Sequence, residues 1–198
     1  IQATIDDTTA PGTTSVKSKD ALNLIATDEA RIDATAVAAS ASLTGSRSGS
    51  SVSIGIGASL ASNTISRNTR AELANFVPGL ASGDLVVRSA NNSTINSRSI
   101  AATFSATVGN GFSAGLTGGG ASSFNTITGN NQALITNANL GSGLPSWNGS
   151  VTVTATDTSF INAKVDAISV DVAAGSTGLA ASIGVSIARN FIGATQGN

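Results

Sequence analysis

Apolar and polar positions alternate with a period of two along much of this chain, as in SVSIGIGAS (Ser51–Ser59) and VTVTAT (Val151–Thr156). Such alternation predicts half-buried strands. In VTVTAT it turns Val151, Val153 and Ala155 inward and the threonines outward. Strands stacked on equivalent neighbours would bury a continuous aliphatic column. Amphipathic stretches with a 3.6-residue period do not occur, and helix punctuation is nearly absent. Valine, isoleucine and threonine sit among glycine, serine and asparagine, so strands separated by turns are expected. The chain is predicted to be all-β.

The pattern also repeats. LNLIATDEARID (Leu22–Asp33), LVVRSANNSTIN (Leu85–Asn96) and VTVTATDTSFIN (Val151–Asn162) share alternating aliphatics, an Asp or Asn in seventh place, and a closing Ile-Asp/Asn. Gln2–Ile5, Arg70–Leu73 and Gln132–Ile135 form a second shared strand. A third phrase, Asn63-Thr64-Ile65, returns as Asn125-Thr126-Ile127 and as Asn190-Phe191-Ile192. One continuous array over 1–198 follows, with units near 1–68, 69–130 and 131–195 and a fourth frame opening at 196. The distance from Ile32 to Asn63 is 31 residues, and its counterparts are 30 and 29. Length varies instead where Pro11, Pro78 and Pro145 fall, so these segments are expected to be loops on one face. With no initiator Met and no signal peptide, the chain is expected to be a piece of a longer array.

A unit too small to bury its own apolar face must stack on its neighbours, which is the logic of a solenoid. Three coils of about 20 residues per unit favour a right-handed parallel β-helix. Nine such coils at about 4.8 Å would make a rod roughly 45 Å long. The alternative left open is an antiparallel stack of hairpins, a β-prism or sandwich, with the glycine-rich places as turns.

Composition narrows the chemistry. His, Cys, Met and Tyr are absent, and ten basic and eleven acidic side chains leave a net charge of −1. Without a basic patch, nucleic-acid binding is not expected. Ser99–Thr156 carries no charge, but polar residues interrupt it throughout, so membrane insertion is not expected. A serine nucleophile has no histidine base, and no motif frames Lys17, Lys19 or Lys164 as a substitute. The chain reads as no enzyme and as carrying no resident cofactor. Asp28 with Asp33, or Asp166 with Asp171, have spacings that could share a sheet face, the arrangement a carbohydrate-active β-helix enzyme would need. Yet the first two positions accept Asn in other units, as turn or ladder residues would. Calcium is the one ion the sequence suggests, at Asp6-Asp7.

Two polar features remain. Asn63, Asn125 and Asn190 are expected to form an amide ladder at coil corners, with Ile65 and Ile127 as core. The segment LGSGLPSWNG (Leu140–Gly149) holds the only Trp, and Pro145, Trp147 and Asn148 are its candidate binding residues.

Written out in full, the repeat resembles those of giant secreted bacterial leukotoxin-like filamentous adhesins and hemagglutinin-type exoproteins. Ala3-Thr4-Ile5-Asp6-Asp7-Thr8, Val151–Ile161 and Ala61–Ile65 carry the resemblance. It implies a secreted or cell-surface bacterial location and a β-solenoid stalk serving adhesion, biofilm or cell contact. Partners would be host-cell or matrix proteins, glycans, or further copies of the chain. A filament-forming extracellular protein is the alternative. The second unit departs from the pattern at Leu73–Phe76 and the third at Phe191. Those departures suit a scaffold better than a site that must recur intact.

Overall fold

The computed structural model describes residues 1–6, 20–76, 83–140 and 147–193. They form ten strands: β1 (Gln2–Asp6), β2 (Leu22–Asp28), β3 (Arg31–Ser46), β4 (Ser51–Ala74), β5 (Leu85–Asn91), β6 (Thr94–Gly109), β7 (Phe112–Thr136), β8 (Val151–Asp157), β9 (Phe160–Ala174) and β10 (Thr177–Gly193). No helix occurs among the described residues.

Three sheets result, ordered β2-β5-β8, β3-β6-β9 and β1-β4-β7-β10. Every pairing among the described residues is parallel and joins a strand to its equivalent one unit away. Leu22 lies beside Leu85 and Leu85 beside Val151. Ile32, Ile95 and Ile161 line up likewise, as do Asn63, Asn125 and Asn190. The antiparallel stack of hairpins is not what forms.

One unit supplies one short, one medium and one long strand, one to each of the three sheets, not three short coils. The described residues therefore stack only three or four strands deep, roughly 15 Å at the usual strand spacing. The expected 45 Å rod is corrected accordingly. Gly55, Gly57, Gly115 and Gly119, which the alternative of stacked hairpins would have made turns, lie inside long strands. They admit the neighbouring sheet: a Cβ at Gly57 would stand 2.7 Å from Thr103 Cγ2, and one at Gly119 2.8 Å from Ser169 Oγ.

The turns at 47–50, 110–111 and 175–176 join strands of different sheets, so each strand pair faces across the interior instead of sharing a ladder. The turns stack backbone on backbone. A Cβ at Gly175 would sit 2.7 Å from the Gly111 carbonyl oxygen, and Asn110 Nδ2 donates to Arg47 O at 3.1 Å. Each long strand thereby lies opposite a short and a medium strand placed end to end.

The interior changes along its length. Over the short strands it is apolar: Leu24, Leu73, Leu85, Val87, Phe76 and Trp147 form one buried cluster. Ile65, Ile95 and Ile127 form a second, flanked by Ile32 and Ile161. Beyond the isoleucines, serine, threonine, alanine and glycine fill the gap between the sheets. Ser53 Oγ lies 2.9 Å from Ser42 Oγ and 2.6 Å from Ser105 Oγ, while Ser59 Oγ lies 2.9 Å from Ser99 Oγ. Paired hydroxyls escape most of the cost of burial, and the close approach of the sheets leaves no room for large side chains.

Here the expected orientation is reversed. Ser51, Ser53 and Ser59 are buried, whereas Ile54 is 59% and Ile56 74% exposed. Val151, Val153 and Ala155 do lie in the inward columns of Leu85, Val87 and Ser89. Alternation alone identifies the strand but not which of its faces is inside.

Candidate functional site

The repeated asparagines lie within β4, β7 and β10, midway along the first two, and not at corners. Asn63 Nδ2 donates to Asn125 Oδ1 at 2.8 Å, and Asn125 Nδ2 donates to Asn190 Oδ1 at 2.9 Å. Asn63 also donates to Ser97 Oγ and Asn125 to Ser123 Oγ, at 3.0 and 2.9 Å. Asn125 is 1% exposed. These amides occupy the boundary between the isoleucine cluster and the hydroxyl-filled interior; Asn63 and Asn125 are buried, whereas Asn190, on the outermost described strand, is exposed.

Trp147 does not project as a surface contact. It is buried, packs against Phe76 with ring centroids 6.5 Å apart at 60°, and belongs to the cluster around Leu73 and Leu85. A large ring this close to the short strands serves as a cover for their apolar ends. Asn148 beside it is exposed, and Pro145 lies outside the described residues, as do Pro11 and Pro78.

The carboxylate pairs do not assemble. Asp28 follows the inward positions Leu24 and Ala26 on β2, while Asp33 is exposed on the outer face of β3, where Arg31 and Asn96 bind it. Asp171 points inward above Gly115 and accepts from the Ala181 amide at 3.3 Å; Asp166 lies on the opposite face of β9 and faces Lys164 at 3.7 Å. Asp6 accepts a hydrogen bond from Asn75 Nδ2 at 2.8 Å, and its neighbour Asp7 lies outside the described residues. Among the described residues, no group of three or more acidic side chains converges as metal ligands would.

A half-buried ion pair stands out instead. Arg67, with its side chain 4% exposed, reaches past the second unit to Asp157 of the third, Nη2 to Oδ2 2.5 Å. Burial alone would raise the Asp157 carboxyl, but the Ser159 hydroxyl and amide, together with Arg67, hold it below the usual carboxylate range. Arg67 Nε and Nη1 find no protein acceptor, and neither amide atom of Asn91, beside Asp157 in the sheet, has a protein partner. The sequence carried one sign of this pair: Arg67 aligns with Gly129, a charged residue against a glycine within an otherwise matched phrase.

The most extensive feature lies outside. Val52, Ile54, Ile56 and Leu60 on β4 and Leu179, Ile183, Val185 and Ile187 on β10 form apolar rows on the outward face of the long-strand sheet. Between them, β7 presents Gly118 and Gly120 as the floor of a shallow groove. Sequence reasoning missed this face because it assigned the aliphatic positions to the core.

Compared with known protein families, curated proteins and solved structures, the chain matches none.

Proposed function

We propose that this chain is a segment of a parallel β-solenoid that acts as a non-catalytic structural and adhesive stalk of a secreted or cell-surface bacterial protein. One observation carries the reading: whole units stack in register, so that asparagines 62 and 65 residues apart join in a single hydrogen-bonded column. Stacking of this kind extends without limit by adding units, each needing only its neighbours. Side chains that recur for packing, and carboxylates that fail to converge, suit load-bearing more than turnover. The right-handed winding expected of parallel crossovers belongs to this proposal. Variable insertions between β1 and β2 and between long and short strands would display contacts for a matrix protein or glycan.

The test inserts one or two further copies of residues 69–130 after residue 130. Each copy is expected to fold with the rest and to lengthen the particle by about 4.8 Å along one axis in X-ray solution scattering. An inserted copy that remains unfolded, or that enlarges the cross-section instead, would sink the solenoid reading. Binding of chain-coated beads to immobilised glycans and matrix proteins tests the adhesive part separately.

A further inference from the structure

The apolar rows on the outward face of β7 and β10 follow an order. Across the pairing register the outer residues face one another as Ala114–Leu179, Leu116–Ala181, Gly118–Ile183, Gly120–Val185 and Ser122–Ile187. Each of these five consecutive rows holds one large and one small side chain. A Cβ added at Gly118 or Gly120 meets nothing within 4 Å, so both positions open onto free space. The groove they floor has a volume of about 440 Å³, is walled by Ile54, Ile56, Ile183 and Val185, and has no charged lining residue.

We infer that this face packs against the same face of a second copy of the chain, about a two-fold axis parallel to the strands and midway between β7 and β10. Such an axis exchanges the two strands while keeping each row level with itself. Every large side chain then meets the small member of its own row. Ile183 of one copy covers Gly118 of the other, Val185 covers Gly120, Ile187 covers Ser122, and Leu116 covers Ala181. The neighbouring strand pair lacks this property, because Ile54 and Leu116 share a row and would collide about an axis between β4 and β7. The row order therefore selects both the partner and the register.

Size agrees with the inference. The large apolar side chains of these rows and of the adjoining Phe112 (Leu116, Leu179, Ile183, Val185 and Ile187 with it) are 44% to 62% exposed. Together they offer on the order of 600 Å² per copy, approaching the ~800 Å² per partner of a standard interface. A hydrocarbon or lipid surface requires only apolarity and gives no reason for large and small to alternate between strands. A second copy does.

The experiment is sedimentation velocity and equilibrium on the 198-residue chain over a range of concentrations, with far-ultraviolet circular dichroism confirming that each variant folds. The chain is expected to form a dimer. Gly118→Ile and Ile183→Ala should each weaken it about tenfold or more, the first by overpacking and the second by leaving a gap. The double variant exchanges large and small within one row and should return the dissociation constant to within about threefold of the parent. If Gly118→Ile does not fold, the Ser122→Ile and Ile187→Ser exchange puts the same question to another row. Dimerisation of the double variant no tighter than that of Gly118→Ile would overturn the inference. So would self-association indifferent to all four substitutions, as end-to-end pairing of strand edges would be. A chain that stays monomeric, with or without uptake onto phosphatidylcholine vesicles, overturns it as well.

Discussion

Arg67 and Asp157 lie 90 residues apart in sequence, and their side chains meet at 2.5 Å across the intervening unit. The route is cleared by Gly129, which pairs with Arg67 on the next strand. A Cβ at Gly129 would stand 2.7 Å from Arg67 Cγ and closer still to the Arg67 carbonyl oxygen. The pair thus ties the first unit directly to the third, beyond the nearest-neighbour contacts that hold the rest of the stack.

Removing one partner should cost more than removing the charge on the buried side. Asp157→Ala leaves a guanidinium inside without its acceptor and is expected to lower unfolding stability by about 2–3 kcal/mol. Arg67→Met fills similar space without a charge and should cost less than half of that. Urea titrations of both variants decide it, and equal losses would contradict the account.

Gly129→Ala is expected to destabilise by more than about 2 kcal/mol, since it adds backbone strain at φ 154° to the collision with Arg67. Combining it with Arg67→Ala should recover part of the loss in a double-mutant cycle. Strict additivity would mean that the two residues do not share the space.

Asn125→Asp tests the amide column. An aspartate there can still accept from Asn63 but has no proton to donate to Asn190 Oδ1. The charged form is penalised by burial, so this variant should lose about 2 kcal/mol or more at neutral pH. It should regain stability on acidification toward pH 4, where protonation restores a donor. Thermal melts of the variant at pH 7 and pH 4, compared with the parent at each, supply the readout.

The parent chain should show the opposite dependence. Arg70, followed by Thr136, holds the Glu72 carboxyl below its ordinary range, and Asp33, Asp84 and Asp157 are lowered as well. A lowered folded-state pKa contributes stability that is present above the unfolded value near 4 and is lost as pH falls through the folded value. The melting temperature should therefore hold steady from about pH 7 to 5 and fall below about pH 4. Glu72→Gln should make that fall shallower.

Trp147→Ala is expected to cost about 3–5 kcal/mol through the cavity beside Phe76, Leu73 and Leu85. As the only Trp in the chain, its emission should be blue-shifted when folded and shift red on unfolding. A red native emission maximum would contradict its burial.

The strands and their register were legible because repetition supplies what a single segment lacks. Matching Leu22 to Leu85 and Val151, or Asn63 to Asn125 and Asn190, identifies residues that stack. Two things were not legible. The glycines of GIG and GGG fit a strand or, in the alternative left open, a turn, and only the facing Thr103 and Ser169 show that they bring two sheets close together. Likewise SVSIGIGAS fits an aliphatic core as well as a hydroxyl one, since the same alternation serves either face. That choice depends on the distance between sheets, which no local pattern encodes. The same ambiguity concealed the outward rows of β7 and β10.

The length of β4 and β7, 24 and 25 residues, also has a mechanical consequence. Strands of that length span about 80 Å, while two sheets packed about 10 Å apart make a slab only about 20 Å thick. Flexural rigidity grows with the cube of the depth in the bending direction, so resistance edgewise exceeds resistance flatwise roughly as the square of four, about sixteenfold, for those dimensions. An array of such units would behave as a leaf rather than a cylinder, yielding readily to flow across its broad faces and hardly at all within their plane.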